Sequence, residues 1–323
     1  MPRRSTAIGL ITVYCLLLIC LFLSWMRLLH VIWTNPGLIP LGDPNIEKQD
    51  TSVRYFDKYS AYISDYEGRP QFCDKCHNYK PDRSHHCREL NRCVRRMDHY
   101  CPWAGGIISE TTHKFFIQFV FYGALWTLFL LIPTSYYLAE RMRIVGDKPS
   151  TWIACVALSA IFVVFTGTMF FMTTWNVSIN YSTVETVQRG GINNITMLTT
   201  RSHRDRRSSR ASTTRASTTR EKPNVLREVV RDGREYVVFQ TQPFDHPWDL
   251  GNKANLQSVM GERVIDWFIP LKMSPCVRHE DSMGEFAWSD AVLDMARDWE
   301  KDNPGRRIRL VSEWRERSGR SGR

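Results

Sequence analysis

The chain has 323 residues, enough for about two domains, with nine cysteines, a formal net charge of +10 and a mean hydropathy of −0.32. These averages resemble a soluble basic protein, yet they conceal long uncharged runs. The positive excess does not mark a nucleic-acid binder, because much of it is confined to Arg201–Arg220 and Arg306–Arg323 and no base-reading element accompanies it.

Three segments are predicted to cross a membrane. Ala7–Trp33 is interrupted only by Arg27 and His30, and Phe115–Ala139 and Thr151–Val177 carry no charge; each exceeds the ~20 residues that span ~30 Å of hydrocarbon as a helix. Arg3 and Arg4 would also suit a signal peptide, but the apolar run is longer than a typical signal core and no small-x-small cleavage site follows. The Lys/Arg series after the third span (Arg189, Arg201, Arg204, Arg206, Arg207) is longer than that between the second and third (Arg141, Arg143, Lys148). The tail is therefore expected in the cytosol. Three crossings then place the segment between the first two spans in the cytosol too, with Arg3 and Arg4 on the side the rule disfavours.

After the first span, Asn35-Pro36-Gly37 reads as a turn. Residues 38–70 have no strong period. Cys73–Trp103 then holds five of the nine cysteines, arranged as Cys73-x2-Cys76, His85-His86-Cys87, Cys93 and Asp98-His99-Tyr100-Cys101-Pro102-Trp103. In a reducing compartment such a cluster reads as metal ligands or catalytic thiols. Two thiolates two residues apart, with a His-Cys pair and a further Cys, offer the tetrahedral N/S set that zinc prefers; spacing does not distinguish His85 from His86. By local sequence Cys101 is either a further ligand or a nucleophile served by Asp98 and His99. Cys15, Cys20 and Cys155 lie within spans as packing residues, and Cys276 carries no signal. Ser182-Thr183-Val184-Glu185 follows the third span. Arg201–Arg220 is a Ser/Thr/Arg-rich stretch with little to bury, read as disordered: a solvated linker, or one attracted to anionic headgroups. Asp245–Met260 looks ordered.

Taken together, these motifs resemble the DHHC family of protein S-acyltransferases, in the Asp-His-Tyr-Cys form of the fungal protein fatty acyltransferase five group. The resemblance runs from Asn35 to about Pro270. Asn35-Pro36-Gly37 is similar to the family's Asp-Pro-Gly turn, Cys73–Trp103 to its cysteine-rich domain, Ser182–Glu185 to its Thr-Thr-x-Glu motif, and Pro247-Trp248-Asp249-Leu250-Gly251 with Asn255, Val259 and Gly261 to its aromatic-and-Asn motif.

The resemblance implies an α-helical polytopic membrane protein with a small, irregular, zinc-stapled cytosolic cysteine-rich domain between spans. Its activity would be transfer of palmitate from palmitoyl-CoA to substrate proteins with membrane-proximal cysteines, through an acyl-Cys101 intermediate, with His99 as base and Asp98 as its orienter. Thr183, Glu185 and Asn255 would be supporting residues. One zinc ion would be held by Cys73, Cys76, His86 and Cys93. The family's second site would need Cys87 and ligands where Leu90, Tyr100 and Ile107 stand, so it is expected to be absent. The protein's partners would be palmitoyl-CoA, substrate proteins and the lipid bilayer, with no nucleic acid, and its location an endomembrane with the cysteine-rich domain and C-terminal tail in the cytosol. A catalytically inactive zinc-stapled adaptor is the alternative.

The expected layout is a span at 7–33, matching the family's second; a cytosolic connector at 34–70; the catalytic cysteine-rich domain at 71–114; spans at 115–139 and 151–177; the Thr-Thr-x-Glu-type segment at 178–200; the basic linker at 201–222; the aromatic/Asn region at 223–275; and a charged tail at 276–323. The family's first span has no counterpart here, either because the protein lacks it or because Met1 is an internal start. Lys80, Arg83 and Arg88 are basic residues near the site that could meet the CoA phosphates or simply face solvent.

Overall fold

The computed structural model describes residues 2–42, 59–187, 191–201, 225–231, 233–276, 286–308 and 310. The expected basic linker lies outside the described residues apart from Arg201, as does much of the expected charged tail. The chain divides into two compact units.

One unit comprises residues 1–36, 98–181 and 256–277. Its frame is three long helices, α1 (Pro2–Thr34), α2 (His113–Ile144) and α3 (Ser150–Ser178). All three are long and apolar enough to cross a membrane, and helices satisfy their own backbone polar groups in hydrocarbon. The helices run beyond the expected spans; α2 begins two residues earlier and continues to Ile144. Side chains such as Ile8, Ile11, Phe162, Val164 and Phe171 point outward, exposed. The three helices meet at Gly123 of α2, where a Cβ would be in ordinary contact with the Thr166 side chain of α3 at 3.5 Å and that of Leu21 of α1 at 3.9 Å.

At one end of this frame Leu28, Val31 and Ile32 of α1 pack with Phe115, Phe116 and Val120 of α2 around Ala104 and Ile108. The other unit comprises residues 37–97, 182–255 and 278–323. It contains β1 (Ala61–Ser64), the short hairpins β2 (Phe72–Cys73) with β3 (Asn78–Tyr79) and β4 (Ser84–Cys87) with β5 (Arg92–Arg95). The Asp98–Ile108 stretch of the first unit supplies a third hairpin, β6 (His99–Cys101) with β7 (Gly106–Ile108).

Further along the second unit come α4 (Thr183–Val187), β8 (Asn194–Arg201), β9 (Val225–Arg231) and β10 (Arg234–Gln240). Helix α5 (Asn252–Met260) runs from the second unit into the first, where α6 (Ile265–Phe268) follows; α7 (Asp290–Asp302) and β11 (Arg306–Ile308) return to the second. Strands β1, β8, β10 and β9 lie in that order in a five-stranded sheet, with β11 also pairing with β8; every pairing is antiparallel. An α-helical description of the fold therefore omits a substantial sheet.

The expected charged tail also needs correction: its 290–308 portion forms α7 and β11. Charges line the exposed side of α7, while Val292, Leu293, Ala296 and Trp299 are buried against the sheet with Phe239, Trp248, Phe286 and Trp288. Ser289 caps α7 by accepting from the Val292 amide.

Candidate active site and metal centre

The candidate nucleophile sits on a short hairpin. Cys101 ends β6, faces Gly106 across the ladder, and precedes a single 3-10 turn, Pro102–Ala104, in which proline occupies the first position. The turn closes with Gly105 at φ 87°, its amide donating to the Pro102 carbonyl at 3.1 Å. Glycine is required twice over: a Cβ at Gly105 would lie 2.5 Å from Leu29 Cδ2, and one at Gly106 2.7 Å from Ile32 Cγ2. Helix α1 thus presses directly on the loop that carries the thiol.

His99 Nδ1 and Asp98 Oδ2 are 2.7 Å apart, with Asp98 buried and the His99 ring about one-third exposed. The Asp98 amide donates to the Ile108 carbonyl at 2.9 Å, and the His99 ring meets the Phe116 ring edge-to-face at 5.3 Å. The imidazole also hydrogen-bonds the Cys101 side chain. Burial opposes the charged imidazole, but Asp98 and Cys101 outweigh it and raise His99 to about 9. Burial likewise pushes the Cys101 thiol up; the His99 hydrogen bond, the Ala104 and Trp103 amides and the imidazole charge together bring it below its ordinary 9.0. The raised imidazole and lowered thiol favour an imidazolium–thiolate pair beside the Asp98 carboxylate, a set with one net negative charge.

In the second unit, Cys73, Cys76, His86 and Cys93 bring their four ligand atoms within 4.8 Å of one another. His86 Nδ1 lies 3.5 Å from Cys73 Sγ and 3.3 Å from Cys76 Sγ. Three sulfurs and one imidazole at this spacing suit tetrahedral zinc. His86 stands opposite Cys93 across the β4–β5 ladder, so that hairpin supplies two donors and the Cys-x2-Cys turn supplies the others. The structure selects His86 over His85.

Cys87 is buried and donates its thiol hydrogen to Glu89 Oε2 at 3.3 Å. Burial first, then the neighbouring carboxylate, pushes this thiol up. Tyr100 and Ile107, two of the positions where a second metal site would need ligands, face each other across β6 and β7.

Ser182–Glu185 forms a capping box: Ser182 Oγ accepts from the Glu185 amide at 3.3 Å, and Glu185 Oε2 accepts from the Ser182 amide at 2.8 Å. Thr183 opens α4. The Glu185 carboxylate also accepts two bonds from Arg83, Nε to Oε1 at 2.7 Å and an Nη to Oε2 at 2.6 Å. Arg83 in turn lies over the Trp248 and Phe286 rings at 5.1 and 5.3 Å. This buried arginine, read from sequence as a phosphate contact or a solvated surface residue, is instead committed to an internal carboxylate; Lys80 is half-buried and Arg88 exposed. Sequence spacing offers no signal for a partner 102 positions away.

Asn255, fully buried, receives the Leu250 amide at 2.9 Å and donates to Asp249 Oδ1 at 2.7 Å, fixing the turn into α5.

With this geometry in place, comparison with known proteins identifies the chain. Residues 66–190 match the family model described as DHHC palmitoyltransferase. The palmitoyltransferase pfa5 of Aspergillus fumigatus is 32% identical over 92% of this chain and 80% of its own length. The chain belongs to the DHHC palmitoyltransferase family. It is an enzyme of that class, a protein S-palmitoyltransferase carried on membrane helices. The palmitoyltransferase PFA5 of Saccharomyces cerevisiae is 25% identical over 83% of this chain and 70% of its own length. Palmitoyltransferase ZDHHC15 of Homo sapiens is 28% identical over 74% and 58% respectively.

Two measurements follow from the electrostatics. The pH profile of Cys101 alkylation by iodoacetamide, read on its own peptide by mass spectrometry, should inflect below the ordinary 9.0 and move upward in Asp98→Asn and His99→Ala. An unchanged inflection in both variants would remove His99 as the source of the thiolate.

Glu185 is lowered to about 2: burial alone would raise it, but Arg83 and the Ser182 amide prevail. A depressed carboxyl contributes stability above its unfolded value, near 4.5, that is lost as pH falls towards about 2. Thermal unfolding should therefore show a steeper loss between pH 5 and about 3 in the native chain than in Glu185→Gln. At neutral pH Arg83→Met should cost about 3–5 kcal/mol by stranding a buried carboxylate.

Proposed function

We propose that this S-palmitoyltransferase moves palmitate from palmitoyl-CoA to membrane-proximal cysteines of substrate proteins in two thioester exchanges through acyl-Cys101. The Asp98, His99 and Cys101 arrangement carries this reading. In the first exchange the Cys101 thiolate attacks the thioester carbonyl, the carbon–sulfur bond to CoA breaks, and the departing CoA thiolate takes the proton held on His99. Acylation removes the negative sulfur that helps keep His99 protonated. The imidazole, still oriented by Asp98, is then free to accept the proton of the incoming substrate thiol. That thiol's sulfur attacks the acyl group, Cys101 leaves as thiolate, and the resting pair is restored.

Each step replaces one thioester by another, so positioning and thiolate supply account for the catalysis. Thr183 and Glu185, through the capping box and Arg83, and Asn255, through its turn, are assigned supporting roles. The Lys/Arg bias supports cytosolic placement of the cysteine-rich segment and C-terminal region, and the family resemblance supports an endomembrane. The intact Asp98, His99 and Cys101 set speaks against an inactive adaptor.

Label from palmitoyl-CoA should appear on the native chain, be released by neutral hydroxylamine and vanish in Cys101→Ser; full labelling of that variant would sink the assignment. His99→Ala should retain its fold but acylate roughly 10²–10⁴-fold more slowly.

Zinc at Cys73, Cys76, His86 and Cys93 would tie the two hairpins together, a structural role, and one ion per chain is the proposed content. Elemental analysis should give one zinc. Cys73→Ser should be severely destabilised, since structural zinc contributes on the order of 10 kcal/mol in small modules, whereas Cys87→Ala should be mild. Two zinc ions per chain would show that the second site survives with other ligands.

A further inference from the structure

The segment after α5 leaves the helix at Gly261 and folds back along α1 and α2 within the first unit. Apart from the single turn of α6 its backbone is irregular, yet its carbonyls are taken by side chains of the long helices. Gln118 Nε2 donates to the carbonyls of Asp266 and Trp267 at 3.3 and 3.0 Å, and Tyr122 Oη to that of Phe268 at 3.0 Å. Arg27 donates to the Leu271 carbonyl at 3.3 Å. The Trp267 indole closes on the Gly261 carbonyl at 2.7 Å, and Lys272 pairs with Asp266 at 3.3 Å. The inner side of the segment is therefore satisfied by protein.

Its outer side is apolar. Val264, Ile265, Phe268, Ile269 and Leu271 are between 41% and 73% exposed among the described residues, a contiguous patch of the kind that marks an interaction surface. The hydrogen bonds also set its depth. Tyr122 lies nine residues beyond the start of α2 and Arg27 seven before the end of α1, or about 14 and 10 Å along helices that rise ~1.5 Å per residue. These ends of α1 and α2 pack together. The helices, 33 and 32 residues long, cover about 50 Å, against ~30 Å of hydrocarbon and ~40–45 Å with headgroups. A point 10–14 Å from their ends falls near the boundary between headgroups and acyl chains.

We infer that residues 264–271 form an interfacial membrane-insertion segment whose partner is the phospholipid bilayer itself. Irregular backbone is tolerated at membrane depth where protein satisfies it, and here all four of these carbonyl contacts come from the two helices. Arg263 and Lys272 flank the patch, placed to reach headgroup phosphates while the apolar side chains enter the acyl boundary. The assignment rests on the membrane reading of α1 and α2 and is independent of acyl transfer.

The test places benzoylphenylalanine at Leu271 of the full chain, reconstituted in phosphatidylcholine nanodiscs, with the same substitution at exposed Val230 of β9 as control. After irradiation, the peptide containing position 271 should carry the mass of phosphatidylcholine and that containing 230 should not. Absence of a lipid adduct at 271, a crosslink there to protein alone, or equal lipid yields at both positions would overturn the inference. Because no catalytic step is read, an inactive preparation leaves this result unaffected, and loss of the lipid adduct says nothing against the acyl-Cys101 intermediate.

Discussion

A thiol half-buried beside apolar helices is driven toward its neutral form, and a neutral thiol is a poor nucleophile. The local architecture around Cys101 opposes that drive. The His99 ring donates to it, the amides of Trp103 and Ala104 turn toward it, and Asp98 holds the imidazole charged. The geometry needs a reversal of the chain within a few residues, which Pro102 starts and Gly105 completes. It also needs a rigid backing, supplied by Leu29 and Ile32 of α1 at distances that exclude any side chain at Gly105 or Gly106. Helix α1 and the loop that carries Cys101 are thus one packed object.

The second unit solves a different problem, that of folding segments too short to build a core alone. Hairpins of two to four residues a strand are marginal in water. Those bearing Cys73, Cys76, His86 and Cys93 converge on a donor set that suits a structural metal. Elsewhere in the unit, stability comes from burial. Trp248, Trp288 and Trp299 pack with the sheet, and Arg83 and Glu185 satisfy one another where either charge alone would be costly. Cys87 donates to Glu89, and Tyr100 pairs with Ile107 across the β6–β7 hairpin.

The sequence by itself determined the membrane helices and the cysteine-rich motif, because these signals are local: uncharged runs of helical length and ligand spacing; the Asp-His pair just before Cys101 left that thiol open as ligand or nucleophile until the family motifs were added. The reciprocal Ser182–Glu185 cap, though its partners are three residues apart, was legible in the sequence only as a family motif. Only the tertiary structure decided what depends on distant partners. The five-stranded sheet joins β1 to strands more than a hundred residues later, and the charge-rich 290–308 stretch hides its apolar face among polar neighbours. Spacing left His85 and His86 open and the family resemblance pointed to His86, the one that the fold brings within reach of the other donors. Arg83 was open as a phosphate contact or a solvated residue until its carboxylate partner was known, since a basic residue's role is set by what it faces and not by its place in the chain.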